Sequence, residues 1–209
     1  MKNKVSVILW LLALFIGCNV LVAQEYKYDV NVFGKTIGTV IANRTIKGTK
    51  IEYSTNSLSI IRFFGKKEIS TIMKTLYENN VLKKSFYEVK KNGKIREKST
   101  LEYLNSTYNI ITNGEKTKHT KPIHLSTIML TYYKPKDKEK VFEEVGGFYK
   151  KIKKIKVNEF ELINPRSRHI DTYIYNDEGI MEKCIVRKTL FNFEMILKSK
   201  NKQKLVGKL

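Results

Sequence analysis

The chain has 209 residues, 42% of them hydrophobic, and carries 40 lysines and arginines against 20 acidic residues, a formal charge of +20. That length holds one domain with a real core and does not argue for two. Of its two cysteines, Cys18 falls in a leader segment and Cys184 in an expected strand, so cleavage on either side of Cys18 rules out an internal disulfide and stability has to come from apolar burial.

Met1-Lys2-Asn3-Lys4 sets two cations ahead of the apolar run Val5 to Gly17, and no charge follows until Glu25. This asymmetry is that of an export leader. The small residue closing Leu21-Val22-Ala23 predicts a signal peptide over residues 1–23 and a single β-rich domain over 24–209. Two other endings compete with this one: Leu14 to Cys18 is similar to a bacterial lipoprotein box in which Cys18 would be lipidated, and the run is barely long enough for an uncleaved anchor. All three send the domain out of the cytoplasm, to the periplasm, the outer membrane or the medium. Trp10 is the only tryptophan, so processed protein is expected to show no indole emission in a fluorescence scan. An emission band would mean that the leader is retained.

Export also selects partners. Nucleic acid is excluded, whereas anionic lipid headgroups, a membrane surface and acidic glycans are met. Only six of the cations are arginines, at 44, 62, 96, 166, 168 and 187. Lysines dispersed among Asn and Ile more simply make a solvated face.

From Glu25 the period is two. Tyr26, Tyr28, Val30 and Val32 share one face while Lys27, Asp29 and Asn31 take the other, and Gly34-Lys35 turns the chain into a partner strand over 36–46. Gly48-Thr49-Lys50 opens a third strand that runs into the apolar knot Ile60, Ile61, Phe63, Phe64, and Gly65-Lys66 ends it. A meander follows, with strands near 67–77, 81–91, 94–104 and 106–112 and the strongest hairpin signal at Asn113-Gly114. So many sequential antiparallel strands must curl to cover their apolar face. The expected fold is therefore mainly β, a large curved antiparallel sheet (half-barrel or incomplete barrel) with one or two short helices on the concave face.

The first helix is expected after Lys121-Pro122, where Leu125, Ile128, Met129, Tyr132 and Tyr133 fall on one side of a 3.6-residue period before Lys134-Pro135. A second turn is expected over Lys138 to Val145, stopped by Gly146-Gly147. Phe148 to Lys156 reads either as a basic amphipathic helix suited to anionic membranes or as a strand, and the continuity of strands beyond it favours the strand. Strands are expected over 158–163, 170–175, 180–186 and 190–197, with a polar, frayed tail from about Lys198.

Three segments carry a resemblance over nearly the whole mature chain. They are Tyr-x-Val-x-Val-x-Gly-x-x-Ile-Gly from Tyr28 to Gly38, Val141-Phe142-x-Glu144-x-x-Gly147, and Tyr173-x-Tyr175-Asn176-x-x-Gly179. The chain resembles a family of uncharacterised exported proteins of Gram-negative bacteria, catalogued as a domain of unknown function, and similar in shape to the periplasmic lipoprotein-carrier half-barrels. The matching residues are turn glycines and core aromatics, so the resemblance implies a shared fold and not a shared reaction. Pro165-Arg166-Ser167 departs from the Pro-x-Gly that the family tends to carry there.

Residues fit for chemistry are sparse. His119, His124 and His169 stand in no metal-ligand spacing, no nucleophile elbow or phosphate loop occurs, and no cofactor is expected. Glu143-Glu144 and Asp177-Glu178 sit beside turn glycines and read as solvent-facing. The one ligand-binding candidate is apolar: Phe63, Phe64, Met129, Tyr132 and Tyr133, which would line a hollow for a lipid under the helix, or else simply fill the core. The functional expectation is a monomeric, non-catalytic envelope protein that binds a lipid or other apolar or anionic component in the concave face. An envelope hydrolase with a spatial site and a purely structural module are the alternatives.

Overall fold

The structure is a computed structural model describing residues 20–62, 65–187 and 192–206. Cys18 and most of the leader lie outside the described residues, and so do Phe63 and Phe64. Among the described residues fourteen strands form one antiparallel sheet. They are β1 (Val20–Val32), β2 (Lys35–Lys47), β3 (Lys50–Ile61), β4 (Lys67–Glu78), β5 (Val81–Lys91), β6 (Lys94–Leu104), β7 (Thr107–Thr112), β8 (Glu115–His119), β9 (Lys140–Glu143), β10 (Phe148–Lys154), β11 (Glu159–Ile163), β12 (Ile170–Tyr175), β13 (Met181–Arg187) and β14 (Asn192–Val206). The spatial order is β8-β7-β6-β5-β4-β3-β2-β1-β14-β13-β12-β11-β10-β9, which leaves β8 and β9 as edges.

Turn chemistry sets the meander. Asn79-Asn80, Asn92-Gly93, Asn105-Ser106 and Asn113-Gly114 all take positive φ at both positions, the geometry that matches the right-handed twist of flanking strands. Alternation then sorts the faces, with Tyr26, Tyr28, Val30 and Val32 buried on β1 and Val40 and Ala42 on β2. The sheet curls until its two ends meet through side chains. The His119 ring of β8 lies 5.8 Å from Phe142 of β9 and 5.7 Å from Tyr149 of β10. The Ser99 hydroxyl donates to the Glu144 carbonyl at 3.2 Å and the Thr112 hydroxyl to the Val145 carbonyl at 2.8 Å.

The segment between β8 and β9 runs through the inside of this curl. The Leu82 N–H donates to the Ile123 carbonyl at 2.9 Å, the Ile123 N–H to the Tyr108 hydroxyl at 3.0 Å, and the Phe142 N–H to the Leu125 carbonyl at 3.0 Å. Ile123, Ile128 and Leu130 are buried. Two apolar clusters result. One lies under β1, β2 and β9–β14 and takes in Leu130 and Val141; the other lies under β3–β8 and takes in Ile123, Ile128 and Phe142, with Tyr132 packed against both.

Three expectations need correction. Where a helix was expected over 125–133, the chain makes one 3-10 turn, Thr127–Thr131. The apolar residues of that segment do not share a face: Leu125 packs against one cluster and Ile128 and Met129 against the other, so contacts on two sides replace the single amphipathic stripe. Where a second helical turn was expected, β9 runs over Lys140–Glu143, with Val141 and Phe142 both fully buried on opposite sides. Within the described residues the polar tail is not frayed, because residues 198–206 continue β14 alongside β1, Lys200 opposite Tyr26 and Lys202 opposite Gln24. Backbone pairing, not apolar burial, makes it a strand. β1 itself starts at Val20, ahead of the expected cut, and its first residues pair with the end of β14.

Candidate functional site

Among the described residues, Gln24, Tyr26, Arg44, Tyr132, Ile180 and Lys200 line a mouth of the curl, a hollow of about 400 Å³. Strand parity builds it. Gln24 and Tyr26 belong to the inward face of β1, Arg44 to that of β2, and Lys200 and Lys202 stand opposite Tyr26 and Gln24 on β14. Tyr132, just past the 3-10 turn, completes the floor.

The aromatic packing is tight. The Tyr132 ring stacks on Tyr26 at 4.8 Å and 30° and tilts against Tyr53 at 5.6 Å, while the Arg44 guanidinium carbon lies 5.3 Å from the centre of the Tyr132 ring. At the rim Lys200 pairs with Glu178, with one contact at 2.7 Å. Burial pushes the Tyr132 hydroxyl far above its ordinary pKa. Burial also raises Tyr26 and Tyr53, opposed in both by the charge of Arg44. These phenols stay neutral donors at any physiological pH.

Three polar atoms here are buried without a hydrogen-bond partner: Arg44 Nε, the Tyr132 hydroxyl and Gln24 Oε1. Two are donors, the N–H of Arg44 and the O–H of Tyr132, beside two lysines. Such atoms are costly to leave unmet. The arrangement suits an anionic oxygen group with an apolar neighbour, and it contains no nucleophile–base pair.

Of the three described candidates read from the sequence, Met129, Tyr132 and Tyr133, the mouth holds Tyr132. Met129 packs against the cluster under β3–β8, and the Tyr133 hydroxyl donates to Glu139 at 3.4 Å. Phe63 and Phe64 are outside the described residues. Sequence reading missed Arg44, although its signal was present: a cation two residues after Ala42 on a strand face that is otherwise apolar. Lys200 and Lys202 were assigned to the tail.

The acidic pair at 143–144 is corrected as well. Glu143 is largely covered rather than solvent-facing; it pairs with Lys150 at 3.4 Å and accepts from the Gly146 N–H. Glu144, however, is fully buried. Its carboxylate accepts from the Thr127 and Ile128 N–H groups, each at 3.2 Å, and from the Thr127 hydroxyl. It therefore caps the 3-10 turn and ties the β9–β10 connection to the crossing segment, a positioning task with no path to solvent. Tyr77 donates to Ser126 at 2.6 Å beside it.

His124 meets the Asn80 carbonyl at 2.9 Å and His169 the Arg187 carbonyl. Among the described residues no three His, Cys, Asp or Glu side chains stand together as a metal site. Cys184 is buried, and burial pushes its thiol up to about 12, far from a reactive thiolate.

Comparison with known proteins agrees with the fold. A solved structure described as a β-barrel-like protein of domain of unknown function DUF1849 from Brucella abortus superposes with a TM-score of 0.56 at 6% identity, covering 90% of this chain and 100% of that one. At that identity the likeness is one of fold alone. No curated protein matches the chain. The profile of the domain of unknown function DUF6134 matches residues 28–198, and the chain belongs to that family.

Proposed function

We propose that this is an exported, non-catalytic envelope protein that binds an anionic amphiphile at the mouth of the curled sheet. The observation that carries this reading is the pair of buried, partnerless donors, Arg44 Nε and the Tyr132 hydroxyl, on two residues that line a hollow rimmed by Lys200 and Lys202. A carboxylate or phosphate headgroup takes both donors in charge-assisted bonds. The adjoining chain lies against Tyr26, Tyr132 and Ile180, where each buried Å² of apolar surface contributes about 25 cal/mol. The leader, read from the sequence, supports the compartment in which such ligands occur.

Titration with a dansylated medium-chain fatty acid tests the reading. Wild-type protein is expected to give a saturable rise in dansyl emission. Arg44→Ala should weaken binding at least about tenfold, since a hydrogen bond to a charged group contributes roughly 1.5–3 kcal/mol. The uncharged amide analogue should bind both proteins alike. Wild-type protein that leaves the probe dark, or an Arg44→Ala variant that binds the acid as tightly as wild type, would overturn the reading.

A further inference from the structure

On the face of the sheet opposite the core lies a second hollow, of about 650 Å³. Residues flanking the inward Tyr53, Thr75, Ser85 and Leu101 line it, so it belongs to the outer face by alternation. It shares Asn43 and Thr45 with a polar hollow of about 210 Å³ that reaches Glu25 on β1 and Asn201 on β14. At its other end it shares Thr100 and Ile111 with one of about 510 Å³ that reaches Arg96, Lys98 and the Asn113-Gly114 turn. The three adjoin as one groove that crosses eight neighbouring strands, from β14 through β1 to β7. At about 4.8 Å per strand it runs for roughly 30 Å. Twist produces it, because a strongly twisted sheet is saddle-shaped and concave along one diagonal of each face.

We propose that this outer groove binds a linear acidic glycan. Length argues for a chain molecule, since a compact ligand would use one hollow and leave two empty. Lining argues against a bare acyl chain: Asn43, Asn109 and Asn201 place amides along the course, and each amide both donates and accepts, as rows of sugar hydroxyls require. Leu76, Phe86 and Ile111 supply an apolar floor for ring faces in the middle. Charge supplies the sign. Lys74, Lys84, Arg96 and Lys98 line the groove, Lys98 lies 5.6 Å from the centre of the Phe86 ring, and one of the three facing acids, Glu102, is already engaged by Lys84 at 2.8 Å. An anionic polymer thus meets its cations beside its stacking platform, within the field of a chain whose net charge is +20.

A chain this basic will hold any polyanion weakly, so the two deciding variants, Asn109→Ala and Phe86→Ala, leave its charge unchanged. Alginate oligosaccharides, which are linear uronate chains, are titrated calorimetrically into wild type, Asn109→Ala, Phe86→Ala and Arg44→Ala, with neutral dextran oligosaccharides as reference. Wild type is expected to bind alginate and not dextran. Asn109→Ala and Phe86→Ala should each weaken binding about fivefold or more, and Arg44→Ala at the mouth should bind alginate as wild type does. Asn109 is exposed, so that variant decides the matter if Phe86→Ala folds poorly. Alginate binding that both charge-neutral variants retain in full would mean general electrostatics and overturn the proposal. Loss confined to Arg44→Ala, or fatty-acid binding that depends on Phe86, would overturn it too.

Discussion

Glu144→Ala is expected to lower unfolding stability by about 3–5 kcal/mol in urea melts, the largest loss from any single polar side chain in the domain. The substitution strips the acceptor from two N–H groups and one hydroxyl in a place that water does not reach. Each orphaned donor costs about 1–3 kcal/mol. It also unties the β9–β10 connection from the 3-10 turn, so the crossing segment loses its anchor inside the curl. Glu144→Gln keeps the shape and one acceptor and should cost less. A melt of Glu144→Ala within 1 kcal/mol of wild type, an order-of-magnitude bound from the same per-donor cost, would show that the carboxylate is not the clasp.

The same residue gives a pH signature. Burial holds the Glu144 carboxyl above its ordinary range, opposed by the bonds from Ser126, Thr127 and Ile128. A raised value means that the folded state holds this proton more tightly than the unfolded chain does. The stability tied to it is complete below the unfolded value, about 4.3, and is lost as pH rises through the folded value. Glu144→Gln does not titrate. The stability of wild type relative to Glu144→Gln should therefore fall as pH rises across that window, read from urea midpoints at several pH values. A difference that stays flat from acid to neutral pH would contradict this.

Gly38→Ala is expected to cost about 2–3 kcal/mol, the range of an overpacked core, although it adds a single methyl group. Gly38 pairs with Val30 on β1 and Ser59 on β3, beside the bulge at Val30/Asn31. A Cβ there would lie 2.2 Å from the Leu58 carbonyl oxygen and 2.6 Å from the Ser59 Cα. These are backbone atoms, which cannot rotate aside, so the β2–β3 pairing itself must shift. Gly48→Ala is the control. Its Cβ would meet nothing within 4 Å and only the positive φ of +57° opposes it, a cost of about 1 kcal/mol. Equal losses in the two variants, measured by the same melts, would remove the steric argument.

Much of this fold could be read without coordinates wherever local rules act alone. Period-two alternation on Tyr26 to Val32, and Asn-Gly or Asn-Asn at the turns, fix strand bounds within a residue or so over β4 to β7, because side-chain alternation and turn geometry depend only on neighbours in the chain. The curled single sheet follows from the same count of strands. Residues 120–145 behave otherwise. The spacing of Leu125, Ile128, Met129, Tyr132 and Tyr133 mimics a helical stripe, but the segment packs against two clusters rather than one, so a single apolar face is not what the period reports. Two prolines bound it, and the 3-10 turn that forms is capped by a carboxylate seventeen residues downstream of Thr127.

The site divides along the same line. Sequence determined that one β layer with an inward aromatic face exists, that it is strongly basic, and that Tyr132 belongs to its interior. Only the tertiary structure decided which cations meet at its mouth, since Arg44, Lys200 and Lys202 are brought together by the pairing of β1 with both β2 and β14. It also decided that Glu144 is buried and that the outer face is grooved. Pairing between the first and last strands, and twist accumulated over fourteen of them, are sums over the whole sheet, and no window of sequence contains them.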